Sequence, residues 1–148
     1  MSRPESEKVR PVWHHREKFN IIWQLDVFKL SREGAKRFFE LSTRFPKEET
    51  YSLTDQGRRS SRSVGARIGE AWRRRKYEAV FVNKLNEAEG EAAETQVWIM
   101  HAVDCKYMSN TDGRELHRLY DRILGKLVSM GNNPAPWLLQ KTRDVRRD

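Results

Sequence analysis

The chain has 148 residues, of which 37% are hydrophobic and 10% aromatic, a composition that suits one domain with a modest core. Twenty-nine Lys and Arg against 21 Asp and Glu leave a formal charge of +8, which points to an anionic partner or to a heavily solvated basic face. Its single cysteine, Cys105, excludes an intramolecular disulfide or a cysteine metal cage, and no apolar run reaches the roughly 20 residues that span a bilayer, so the expected setting is a reducing cytoplasm.

Residues 1–20 are polar, carry Pro4, Pro11 and His14-His15, and read as an extension without helical period. Helical periodicity begins at Ile21 or Ile22 and continues to Arg44. Trp23, Val27, Leu30, Phe38, Leu41 and Phe45 share one stripe, with Phe28, Ala35 and Phe39 beside it. Together these cover about half the circumference, more than the ~100° a surface helix needs, and imply burial against both a bundle and another subunit.

After the break at Phe45-Pro46, a second helix is expected from Leu53 to Arg74. Ser52 is its candidate N-cap, with Asp55 three residues on in a shortened capping box. Leu53, Val64, Ile68, Ala71 and Trp72 fall on one side, joined by the small residues Gly57, Ser61 and Gly65. From Thr50 to Lys76 the basic residues Arg58, Arg59, Arg62, Arg67, Arg73, Arg74, Arg75 and Lys76 face only Asp55 and Glu70, a net of +6. This element therefore holds most of the excess charge.

The third helix, Glu78 to Tyr107, is acidic. Glu78, Glu87, Glu89, Glu91, Glu94 and Asp104 oppose only Lys84, while Phe81, Val82, Leu85, Ala88, Ala92, Ile99 and Val103 form its buried stripe. Antiparallel packing on the basic helix would pair charges along their edges, and Glu94 and Gln96 are placed to bond across the bundle. After the turn Ser109-Asn110-Thr111-Asp112-Gly113, a fourth helix runs from Gly113 to Met130, with Thr111 or Asp112 as cap and Glu115 completing a box. Leu116, Leu119, Tyr120, Ile123, Leu124, Leu127 and Val128 again cover half of it. Gly131-Asn132-Asn133-Pro134 ends it; in the tail (134–148), Trp137-Leu138-Leu139 should dock and the last residues should be mobile.

Catalytic and metal chemistry find little support. The chain lacks a phosphate-binding loop and an HExxH motif. His101 and Cys105, four apart on one helix face, could ligate a metal or pair as base and nucleophile, but a small buried thiol near a partly exposed imidazole needs neither. His117 has no carboxylate or cysteine at useful spacing. Ser60, Ser61 and Ser63 lack a histidine partner and, with Gly65, Ala66 and Gly69, are better explained by close helix approach. Trp72 and Trp98 read as core before base-stacking platforms. The expected fold is an all-α, up-and-down antiparallel four-helix bundle over residues 21–133, with no catalytic residue, cofactor or metal.

Phe45-Pro46-Lys47-Glu48-Glu49, Tyr51, Leu53-Thr54-Asp55-Gln56, Arg58-Arg59, Ser63, Ile68 and Glu70 resemble the signature of the four helix bundle protein family, whose founders are encoded in intervening sequences of bacterial large-subunit ribosomal RNA. The resemblance implies a homopentameric ring. It also implies kinship with accessory proteins of diversity-generating retroelements, which bind nucleic acid and a reverse transcriptase through basic surfaces. Arg58 and Arg59 match the paired basic residues of the family's second helix, Glu70 an acidic residue near its end, and Glu94 and Gln96 polar positions of the third. Gly57 stands where an aliphatic residue is usual, Gly65 where proline is frequent, Arg67 where asparagine is usual and Ala71 where glycine is usual. The functional expectation is a non-catalytic, oligomeric nucleic-acid binder, structured RNA favoured over DNA, acting through the eight basic residues from Arg58 to Lys76. The alternative is an adaptor docking a reverse transcriptase.

Overall fold

A computed structural model describes residues 21–139. The extension at 1–20 and the end of the tail at 140–148 lie outside the described residues. Five helices follow one another: α1 (Ile21–Gln24), α2 (Asp26–Ser42), α3 (Leu53–Arg73), α4 (Glu78–Asp104) and α5 (Asn110–Asn132), with single 3-10 turns at Lys47–Glu49 and Ala135–Trp137. The described residues contain no strand. The expected first helix is in fact two pieces, because Leu25 is extended (φ −69°, ψ 122°) and separates the short α1 from α2.

Each of α2 to α5 packs on two others, α2 on α3, α3 on α4, α4 on α5 and α5 back on α2. The pairings run antiparallel. Ser60 meets Thr95 and Arg67 meets Glu87 between α3 and α4; Gly57 lies under Phe38 and Gly65 beside Ser31 between α2 and α3. Gly113 abuts Val103 between α4 and α5, and Arg37 meets Glu115 between α2 and α5. The result is an all-α bundle with α3 and α5 on one diagonal and α2 and α4 on the other.

The core is the set of stripes read from periodicity. Val27, Phe38, Val64, Ile68, Ala71, Phe81, Leu85, Ala88, Ala92, Ile99, Leu116, Tyr120, Ile123 and Leu127 are all buried. The arcs are narrower than expected at their margins. Phe39 and Val128, expected within them, remain exposed on the single chain, as do Val80, Val97 and Met100 outside the expected stripe of α4. Trp137 and Leu138 rest on the core, and the amide of Leu139 donates to the carbonyl of Arg75 (3.3 Å).

Two helix starts differ from expectation. Ser52 makes no capping bond. Its hydroxyl donates to Glu49 Oε2 (2.9 Å), and that same oxygen accepts from the amide of Leu53 (3.1 Å), so a glutamate four residues upstream caps α3. α5 begins earlier than the glycine at 113, and its cap is neither Thr111 nor Asp112 but Ser109, whose Oγ accepts from the Asp112 amide at 3.0 Å. The α4–α5 connection closes α4 with a Schellman motif: Lys106 N–H donates to Val103 and Tyr107 N–H to Ala102, both at 2.9 Å. Its left-handed position is held by Lys106 (φ 62°) rather than by glycine.

Candidate nucleic-acid interface

The eight basic residues from Arg58 to Lys76 separate into three groups. The first lies along the α2–α3 edge. Arg58 Nε donates to Ser42 Oγ (2.8 Å), whose own hydroxyl donates to the Phe39 carbonyl (2.7 Å). This chain holds the Arg58 guanidinium 4.7 Å above the Phe39 ring, and Arg62, one turn on, sits 5.7 Å from the same ring. Phe39 is 41% exposed, so the ring and two guanidiniums form an open shelf. Arg59 flanks it, its side chain 75% exposed and paired with Asp55 at 3.7 Å.

Arg67 belongs elsewhere. It lies 3.4 Å from both Glu70 and Glu87, and Lys84 closes the square at 3.0 Å from Glu70 and 3.1 Å from Glu87. The Lys84 hydrogen bond is the main influence holding the Glu70 carboxyl below its usual range, and Glu70 in turn raises the Lys84 ammonium. Each helix gives one cation and one carboxylate to this neutral square across the α3–α4 edge, so Arg67 is committed to the fold.

The third group closes α3. Arg75 stacks 3.8 Å over Trp72 and donates through Nε to the Trp72 carbonyl (2.8 Å); partial burial lowers its pKa. Lys76 lies 5.8 Å from the ring of the exposed Tyr77, and Arg73 and Arg74 are exposed. Both open groups therefore combine cations with aromatic faces.

The remaining candidates do not assemble into a catalytic or metal centre. Cys105 is exposed rather than buried, because it follows the last turn of α4, and His101 is exposed beside Trp98, their rings 5.9 Å apart. No group of three or more His, Cys, Asp or Glu among the described residues could hold a metal ion. His117 does have a partner. Asp121, four residues on, lies 3.5 Å from its Nδ1, and Gln96 reaches across from α4 to donate to Asp121 Oδ1 (2.7 Å) and the His117 carbonyl (3.2 Å). Gln96 thus bonds across the bundle as expected, whereas Glu94 accepts from Trp98 Nε1 (3.3 Å) within its own helix. Charge counting by segment also passed over Phe39 and a row of cations on α5. Their signals were an aromatic residue on the edge of an apolar stripe and a strict four-residue spacing.

The family model described as 23S rRNA-intervening sequence protein matches residues 23–129. The chain belongs to that family. It is also similar to a solved structure from Bacteroides thetaiotaomicron, a protein with unknown function from the S23 ribosomal protein family. The two share 30% identity and a TM-score of 0.66, and the match covers 72% of this chain and 99% of that one. No curated protein matches. Among the described residues no helix is long and apolar enough to cross a membrane.

Proposed function

We propose that the protein is a non-catalytic, self-associating nucleic-acid binder that takes structured RNA on the α2–α3 edge and the C-terminal end of α3. The observation that carries this reading is the alternation of guanidinium and aromatic ring: Arg58 and Arg62 on Phe39, then Arg75 on Trp72. Phosphates are met by the cations, and unstacked bases of loops or bulges find flat partners in Phe39 and in the guanidinium planes. Arg59, Arg73, Arg74 and Lys76 extend the field, while Arg67 is excluded by its two carboxylates.

Self-association is supported by the apolar surface left on the single chain. A groove of about 520 Å³ between α2 and α3, lined by Ile22, Phe28, Ala35, Gly65 and Ala66, lies beside the shelf. Repetition of the shelf in an oligomer makes weak phosphate contacts act together at high effective concentration.

Filter binding of a labelled RNA hairpin between roughly 50 and 200 mM salt tests the proposal. Affinity should fall steeply with salt, and the combined substitution Arg58→Ala, Arg59→Ala, Arg62→Ala should weaken it and flatten the salt dependence. Binding indifferent to both salt and these substitutions overturns it.

A further inference from the structure

The row of cations on α5 differs from the face on α3. Arg114, Arg118, Arg122 and Lys126 stand four residues apart, a rise of about 6 Å per step and about 18 Å overall. The row turns by about 40° per step around the helix, from the middle of its outer face toward the α2 side. Arg114, Arg118 and Arg122 are exposed and Lys126 is half-exposed.

None of the four makes an ion pair or hydrogen bond among the described residues. The carboxylates around them are otherwise engaged or apart. Glu115 pairs with Arg37, and Asp121 accepts from Gln96 and faces His117. Asp104 shares a groove with Arg114, and Asp26 one with Arg122 and Lys126, without forming an ion pair to them. With Glu115 and Asp121 turned to other partners, the four cations stand in a line without an ion pair, and a polyanion relieves their mutual repulsion.

Because α3 and α5 occupy one diagonal of the bundle, their outer faces look away from each other. The first shelf, however, lies on the α2–α3 edge and the α5 row turns toward α2, so the two surfaces flank α2 on different sides of the bundle. We infer that α5 carries a second phosphate-backbone surface, so that one protomer holds two nucleic-acid segments on separate edges of the bundle. This rests on the nucleic-acid reading above. The α5 row has no aromatic ring within it, so it follows a phosphate backbone and does not stack bases.

The test uses the full chain and a fluorescein-labelled RNA hairpin. Stoichiometric titration at low salt should give two hairpins per protomer for the wild type. It should give one for the Arg114→Gln, Arg118→Gln, Arg122→Gln, Lys126→Gln variant and one for the Arg58→Gln, Arg59→Gln, Arg62→Gln variant. Each lost phosphate contact should reduce the slope of log affinity against log salt by about 0.7–0.9. Arg118→Gln alone, at the middle of the row, should keep both hairpins, lose about one unit of slope at the α5 site, and guard against a misfolded quadruple variant. A wild-type stoichiometry of one, or an α5 variant with unchanged slope and stoichiometry, overturns the second surface while leaving the α3 reading intact. Absence of any hairpin binding by the wild type overturns both.

Discussion

The ring of Phe38 on α2 fills the space that a side chain at Gly57 on α3 would need. Phe38 is fully buried and packs edge-on against Phe45 at 6.0 Å, so it has no free direction in which to yield. The family resemblance leads one to expect an aliphatic residue at position 57, and this ring leaves no room for one. Alanine there gains about 1 kcal/mol of helix propensity but meets the ring, and overpacking of this kind costs about 1–3 kcal/mol. Gly57→Ala should therefore lower the thermal midpoint. In the Phe38→Leu background the same change should be much less harmful, and equal effects in the two backgrounds would show that the two residues are not coupled.

Ser60 and Thr95 form a buried hydrogen bond between α3 and α4 at 2.8 Å. Thr95 Oγ1 is also within reach of the Glu91 carbonyl (2.9 Å) and Ser60 Oγ of the Gly57 carbonyl (3.3 Å), so either hydroxyl can donate within the pair. Ser60→Ala or Thr95→Val alone should cost about 1 kcal/mol by stranding the partner. The double variant should cost less than the two singles together. Urea denaturation of all four proteins measures the coupling, and strict additivity would count against it.

Lys106 occupies the left-handed position that completes the Schellman motif after α4, with φ 62°. An L side chain there costs about 1–2 kcal/mol, against which glycine loses some unfolded-state entropy. Lys106→Gly should raise stability by about 0.5–1 kcal/mol, and Lys106→Val should lower it. A glycine variant that melts below the wild type contradicts this account.

The Glu70–Lys84 pair gives a pH dependence of known sign. Glu70 is held below its ordinary value of 4.5, so its contribution is present above that value and is lost as pH falls through the lower, folded-state pKa. Lys84 is raised above 10.5, so its contribution is present below that value and is lost as pH rises through the higher one. Both groups are solvent-accessible, which makes the effect small and salt-sensitive. At low ionic strength Lys84→Met should flatten both limbs of the melting-temperature profile. Identical acid limbs in wild type and variant would remove this pair as their source.

Phe39 separates folding from binding. Its 41% exposure means that Phe39→Ala should melt close to the wild type, yet a stacked base is worth about 1–3 kcal/mol. Binding of a hairpin with an unpaired loop should weaken accordingly, while a fully paired duplex of equal charge should be bound as before. Equal losses for both RNAs would assign Phe39 a merely structural part.

What could be read in advance followed from periodicity, and what could not depended on partners distant in sequence. The apolar stripes of α3, α4 and α5 were visible because a buried helix face repeats every 3.6 residues whatever it packs against. The break at Leu25 was not, since Trp23 and Val27 keep the same stripe on either side of it. Glu49 caps α3 from a separate 3-10 turn, so the local Ser52–Asp55 pattern pointed to the wrong oxygen. Arg67 counts equally with Arg62 in a charge sum, and only the square with Glu70, Lys84 and Glu87 sets them apart. The α5 row was in plain view at four-residue spacing, but Asp112, Glu115 and Asp121 lower that helix to a net +1. Its accessibility emerges only when Glu115 and Asp121 are seen to be occupied.

Cys105 ends on the surface just past α4, beside the helix end where α3 begins. The cluster from Arg73 to Lys76 closes the other end of α3, about 30 Å away along the 21-residue helix. A maleimide dye on the wild-type chain consequently attaches at one thiol only, remote from that cluster. It supplies a fixed reference for measuring by energy transfer how a labelled RNA lies on the protein, with no cysteine to add or remove.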